Sequence, residues 1–374
     1  MSPACLPLGP RTAPDLSLED YLRRVVPDYC QTGQRVIDIM ELSAGVWAVE
    51  LQDGSRIVAK HQAFGAFNPG RDSTAAPCAD DLLVVEPKVL DILGEHHCPV
   101  PGVLAVDEET RFIFFEHRGE HTLDDVVQAS GVSRDLSRKL VAGFCNIERV
   151  LAKHHRDLVP LASTAATGAH LPQAASRASA QSQEGLARIL GLCATPGGAG
   201  DSLEPLLDGL CTMLSQREPT LASTDFNARN VVIDAVTDAV SFIEFAKIGW
   251  DWPERRLVQY ATSLGAGRVD GSFICCLGPE ALSHYARFSG DGGGALDGHH
   301  ILFHLQAAAV LCRALERPAL PRHRALLQAW QRPRHRLRQL VDTLVQPLTV
   351  DTQATEFRWL LAQAVHPFIE GDEP

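Results

Sequence analysis

Asp225 and Asn230, five residues apart in STDFNARN, are the most chemically suggestive pair in the chain. A carboxylate at the first position can orient a hydroxyl and accept its proton. A carboxamide at the second offers a hard oxygen to a divalent cation. The hairpin pattern that follows, from NVVID to AVSFIEF, ends on Glu244, a second hard-oxygen donor brought back toward the same place. Upstream, Lys60 closes the strand-like run RIVAK, and Glu86 lies on a helix-like run behind it, where a carboxylate can steady the ammonium. A fixed cation, a divalent-ion site and a base together suit phosphoryl transfer, in which phosphate charge is clamped while a hydroxyl approaches in line. Singly, each signal is weak. D-x-x-x-x-N occurs in many turns, and a strand lysine or helix glutamate is usually just solvated.

Composition adds weight to one of them. Only five of the 34 basic residues are lysine (Lys60, Lys88, Lys139, Lys153 and Lys247), so any position that keeps lysine is informative. The formal net charge of −12 argues against broad nucleic-acid binding and against docking on anionic membranes, both of which need basic surface. The N-terminus lacks a basic start followed by an apolar core, and no run of about 18 apolar residues occurs. A cytoplasmic protein with reduced, scattered cysteines is expected.

The elements that must position these residues follow from periodicity. VIDIMEL (36–42), VWAVELQ (46–52) and RIVAKHQ (56–62) read as three strands, joined at Ser43-Ala44-Gly45 and at Asp53-Gly54. Residues 64–81 read as a loop, and a helix is expected at about 82–95, with Leu82, Val85, Val89 and Leu93 on one face. VLAVDE and RFIFFEH follow Pro99-Val100-Pro101 as two more strands. Residues 1–117 thus form an N-terminal, nucleotide-binding lobe, opening with a loose Pro-rich stretch at 1–16 and a helix start at Ser17–Asp20. Residues 118–374 form a helical C-terminal lobe carrying the catalytic loop and the acceptor site. A stripe over 133–158 (Leu136, Leu140, Phe144, Ile147, Leu151) anchors it. The Ala-, Ser- and Gly-rich stretch at 160–202 is expected to be a flexible insertion with one short helix at EGLARILGL, ahead of a helix at about 203–217.

Several common chemistries are missing. There is no G-x-x-x-x-G-K-[ST] and no G-x-S-x-G. His300 and His304 have a zinc-compatible i, i+4 spacing without a third ligand, and read as surface histidines. His96-His97 and His154-His155 read the same way.

Taken in order, the motifs resemble the aminoglycoside phosphotransferase family, small-molecule kinases of protein-kinase-like fold. The Lys60 strand, EPKVLDILGE, Pro-Val-Pro, FFEHRGEHTLDDV and TDFNARNVVID…FIEFAKIGW correspond over about residues 36–265. The resemblance implies an α+β, bilobal fold with a small antiparallel-sheet N-lobe, one key helix and a mainly helical C-lobe. It implies ATP and Mg²⁺ as cofactors. Lys60 would hold phosphates with Glu86 fixing it, Asp225 would be the catalytic base, and Asn230 and Glu244 would ligate the metal. Backbone around Glu116–Arg118 would receive adenine, and Ser43–Gly45 would form the loop over the phosphates. Three positions depart from the family pattern: Ser223 stands where the family has His, Glu244 where it has Asp, and Trp252–Arg256 lacks the acid that often follows the turn.

The activity implied is transfer of the ATP γ-phosphate to a hydroxyl of a small molecule, such as an aminoglycoside, choline or a sugar or amino alcohol. The acidic balance is compatible with a cationic acceptor, with Asp251, Glu254 and Asp270 as nearby acids; it serves solubility equally well. A second reading, motivated by Ser223 and Glu244, is a nucleotide- or protein-binding module without turnover. Oligomeric state is not legible.

Overall fold

A computed structural model describes residues 17–29, 33–62, 82–162, 171–193, 199–290, 293–346, 348 and 352–370. The expected loose segment at 1–16 and the loop at 64–81 lie outside the described residues. Helix α1 (Leu18–Tyr29) starts where Ser17 Oγ accepts the Asp20 amide at 3.2 Å and donates to its carboxylate at 2.6 Å, a reciprocal cap. Strands β1 (Val36–Ser43), β2 (Val46–Leu51) and β3 (Arg56–His61) then run antiparallel. At the β2–β3 turn, Asp53 Oδ1 accepts the Ser55 amide and Gly54 supplies a left-handed φ of 83°.

Helix α2 (Leu82–Glu95) follows, then β4 (Val103–Asp107) and β5 (Phe112–Glu116). The sheet order is β1-β2-β3-β5-β4, so β3 is central and Lys60 stands opposite Val46 on one side and Ile113 on the other. Beyond β5 the chain leaves the sheet through Gly119. A Cβ there would lie 2.4 Å from the Ile233 carbonyl, so only glycine permits this crossing.

Next come β6 (His121–Thr122), α3 (Leu123–Ser130), α4 (Arg134–Lys153) and the single turn α5 (His155–Leu158). The five stripe residues named for α4 are all buried. They join Leu83, Val89 and Leu93 of α2 and Ile113 and Phe115 of β5 in one core, so the sheet and the helical region share an interior.

The 160–202 stretch differs from expectation. Its longest described part is the 22-residue helix α6 (Leu171–Leu192), followed by α7 (Ala199–Ser215), which begins earlier than its expected start near 203. The small residues that resembled linker composition are packing devices. A Cβ on Gly185 would come within 2.0 Å of the Leu305 carbonyl, so glycine lets α6 lie directly on a neighbouring backbone. Leu186 and Ile189 are each 1% exposed there, worth roughly 2 kcal/mol apiece as buried side chains.

The rest is short strands, then helices: β7 (Thr220–Ser223), β8 (Val231–Ile233), β9 (Val240–Phe242), β10 (Ile248–Asp251), α8 (Pro253–Tyr260), β11 (Thr262–Ser263) and β12 (Ile274–Cys275). Helices α9 (Pro279–Ser289), α10 (Gly294–Glu316), α11 (Pro321–Ala329), α12 (Pro333–Val345) and α13 (Thr352–Glu370) complete the chain. β7 pairs with β10, and β8 with β9, which brings both ends of the Asp225–Glu244 region to one place. The architecture is α+β: one small antiparallel sheet with its helix, then a mainly helical region. Among the described residues no helix is long and apolar enough to cross a membrane.

Candidate functional site

Lys60 sits at the end of the central strand and is only 9% exposed. Its Nζ donates to both Glu86 carboxylate oxygens at 3.1 and 2.9 Å and to Glu244 Oε2 at 2.7 Å. Glu86, buried on α2, also accepts from Gln62 Nε2 at 2.9 Å and from the Phe245 amide at 3.3 Å. Burial alone would lower the Lys60 pKa, but the Glu86 and Glu244 carboxylates outweigh it and hold the ammonium above its ordinary value. The lysine is therefore a permanent cation fixed between two acids.

The register places the Ser43–Gly45 turn beside it. Gly45 takes a φ of 81°, its carbonyl accepts the His61 amide at 2.8 Å, and it immediately precedes Val46, the residue opposite Lys60. At the far end of β5, the Glu116 amide donates to the Gly102 carbonyl at 2.9 Å, and the Glu116 side chain accepts the Gly102 amide at 2.9 Å and pairs with Arg118. Glu116 is thus committed to Gly102, and the His117–Arg118 backbone is the part of this segment that leaves the sheet.

On the opposite side, Asp225 follows β7 with its side chain 36% exposed. Asn230 Nδ2 donates to the Asp225 carbonyl at 2.7 Å, closing the turn and leaving its amide oxygen as the atom for a cation. Ser223 ties the two segments together: its hydroxyl donates to the Glu244 carbonyl at 3.0 Å and accepts the Asp225 amide at 3.3 Å. Glu244 itself has a left-handed φ of 68°, rare for a residue with a side chain and typical of functional positions held by their surroundings.

Lys60, Glu86, Asn230, Glu244 and Asp225 therefore converge from β3, α2 and the two hairpin ends. Two further participants escaped the reading of the sequence. Gln62 steadies Glu86, and Lys247 Nζ meets Asp225 Oδ2 at 3.1 Å. Lysine scarcity and its place three residues after Glu244 in FIEFAKIGW were the available signals for Lys247; its partner Asp225, 22 residues away, is brought to it only by the fold.

The surrounding frame is built from a buried ion pair. Arg256 is 1% exposed and grips Glu148 with two bonds of 2.9 and 2.7 Å while donating to the Asp251 carbonyl at 2.9 Å, fixing α8 and β10 against α4. Asp251 and Glu254, expected as acceptor-facing acids, are instead 6% and 3% exposed and paired with Arg255 and Arg217. Asp270 is exposed. The carboxylates turn inward to Arg255, which meets Asp251, and to Arg217, which reaches Glu254 from 37 residues away, a pairing that the sequence does not reveal.

His300 and His304 are also not surface residues. Both are fully buried on α10, with ring centroids 4.0 Å apart. His304 Nδ1 donates to the His300 carbonyl at 2.8 Å, and Arg358 bridges His300 and Asp297. The i, i+4 pair lies on a helix covered nearly all round, so helical spacing gave no hint of burial. Burial pushes the His304 pKa down to about 4. Among the described residues no group of three or more His, Cys, Asp or Glu side chains is placed to hold a metal.

No family model matches the chain, and no curated protein matches its sequence. The chain aligns with solved structures of aminoglycoside phosphotransferases and of a choline kinase. The GDP complex of wild-type aminoglycoside 2'-phosphotransferase-IIIa aligns at 10% identity and a TM-score of 0.44, over 92% of this chain and 97% of that one. The streptomycin–ATP complex of APH(2'')-IIa aligns at 15% identity and 0.44, over 84% and 97%. The choline kinase LicA from Streptococcus pneumoniae aligns at 10% identity and 0.39, over 87% and 99%.

Proposed function

We propose that the protein is an ATP-dependent phosphotransferase that moves the γ-phosphate to a hydroxyl of a small molecule. The carrying observation is the bridging of Lys60 between Glu86 and Glu244, with Asp225 and Asn230 across from them. In this reading Lys60 binds the nucleotide phosphates and Glu86 keeps it aimed. Asp225 receives the acceptor hydroxyl and takes its proton as the new P–O bond forms. Lys247, on the same carboxylate, is a positioning residue that must yield when the hydroxyl arrives. The Ser43–Gly45 turn covers the phosphates, and the Glu116–Arg118 segment faces the base.

The donor chemistry suits Mg²⁺. A carboxylate (Glu244) and a carboxamide oxygen (Asn230) are hard ligands, and Mg²⁺ is usually held by one or two carboxylates plus substrate phosphates. When bound it supplies neutralisation of phosphate charge. Glu244 and Asn230 would hold the ion, and Glu244 would give up its Lys60 contact to do so.

The test is calorimetric titration of ATP with and without Mg²⁺, on wild type and Glu244→Gln, followed by γ-phosphate transfer to a panel of alcohols. Mg²⁺-dependent binding lost in the variant, with transfer to at least one alcohol, is expected. Binding without transfer to any acceptor would favour the non-catalytic nucleotide-binding module.

A further inference from the structure

A cavity of about 290 Å³ opens between α6, α7, α8 and α10. One wall is apolar, from Trp252, Leu302, Phe303 and the Ala174–Ala178 face of α6. His299 lines the cavity at 6% exposure, and its Nε2 has no hydrogen-bond partner. A buried polar atom without a partner normally costs free energy, and a ligand group that reaches it removes that cost. Gln259 and Gln306 add neutral polar groups, and Arg177 and Arg255 add two cations. Among the described residues that line the cavity there is no carboxylate. Asp251 takes one nitrogen of Arg255, leaving other donors of the fork available.

One residue of the cavity wall touches the candidate catalytic loop. Arg255 lies over the Phe226 ring, 5.7 Å from its centroid, and Phe226 adjoins Asp225. Arg255 and Gln259 stand on α8 and Trp252 caps its start, directly after the strand that pairs with β7. An aromatic wall, a lone histidine and two arginines without an acid are unsuited to a polycation, whose ammonium groups would meet like charge.

We infer that this cavity is the acceptor pocket and takes a small hydroxylated carboxylate with an apolar, ring-sized body. The inference rests on the phosphotransfer reading and specifies its substrate class. The acceptor carboxylate pairs with Arg255 and Arg177, and a polar group on the ligand meets His299. The hydroxyl oxygen forms the bond to the γ-phosphorus as the bond to the β-phosphate oxygen breaks; its proton passes to Asp225, and ADP leaves with the bonding electrons.

Three probes of one shape separate the possibilities: 3-phenyllactate (anionic), 3-phenyl-1,2-propanediol (neutral) and phenylalaninol (cationic), titrated calorimetrically against the full chain. Phenyllactate is expected to bind at least ten-fold more tightly than phenylalaninol. Arg255→Gln is expected to weaken it about ten-fold with ATP affinity unchanged. Because Arg255 also holds Asp251, Arg177→Gln at the exposed rim repeats the test without touching a buried acid. Equal or tighter binding of phenylalaninol, no binding of any probe, or indifference to both arginine variants overturns the pocket assignment. Phenyllactate binding that fades in both variants, with no transfer from ATP, keeps the pocket and sinks the phosphotransfer reading. Transfer to an alcohol unaffected by either variant does the reverse.

Discussion

The site is held by two lysine–carboxylate pairs that look alike on paper and differ in their physics. Lys60 and Glu86 meet at 2.9 Å with side chains 11% and 3% exposed. Lys247 and Asp225 meet at 3.1 Å with side chains 33% and 36% exposed. The first pair has been taken out of water, so neither member can lose the other without leaving a buried charge. The second remains in solvent, where a contact is worth little and exchanges readily. The sheet side is therefore a fixed clamp and the loop side a replaceable contact, a division that suits a cation that holds phosphate and a base that must change partners.

The strongest way to break this comparison is on the loop side. Asp225→Ala is expected to lower transfer about 10²–10⁴-fold, the range for losing a general base, with ATP affinity within two-fold of wild type. Single-turnover transfer beside calorimetric ATP titration checks it, and wild-type turnover in the variant would remove Asp225 from the mechanism. On the sheet side the loss should appear in stability. Glu86→Ala, measured by urea unfolding, is expected to cost about 3 kcal/mol, the low end for breaking a buried pair because Glu244 still partners Lys60. A cost near zero would mean that Lys60 is better solvated than its 9% exposure implies.

Acid offers a further probe of buried polar groups. Burial holds His304 at about 4 and His299 at about 3 in the native state, so both stay neutral while the unfolded chain protonates them below about pH 6.5. Stability is thus full above that pH and falls as pH drops toward about 4, by about 1.4 kcal/mol per unit for each histidine. Urea midpoints at pH 7.5, 6 and 5 follow this slope, and His299→Gln should make it shallower. The smallest effect belongs to Lys247→Ala, expected to change stability by less than about 1 kcal/mol, because its pair is screened. A larger loss would place Lys247 in the fixed clamp and erase the distinction.

Much of the frame was legible because it is local. Period-two runs marked β1 to β5, the apolar stripe marked α4, and the α2 bounds coincide with the expected 82–95. Where signals misled, the cause was packing. Small residues in α6 resembled a linker because composition does not distinguish a flexible chain from a helix lying close against another. His300 and His304 looked superficial because spacing along a helix says which residues share a face, not whether a second layer covers it. Gln62 and Lys247 went unassigned because each acts through a partner on another segment.

The sequence by itself determined the order of the elements and the chemical identities of Lys60, Glu86, Asp225, Asn230 and Glu244, since propensity and side-chain chemistry are properties of neighbouring residues. Only the tertiary structure decided that one lysine bridges Glu86 and a glutamate 184 residues away, that Asp251 and Glu254 turn inward to arginines, and that His299 faces a cavity without a carboxylate. Ion pairing, burial and concavity arise when distant segments exclude water together, and no local pattern records which segments those are.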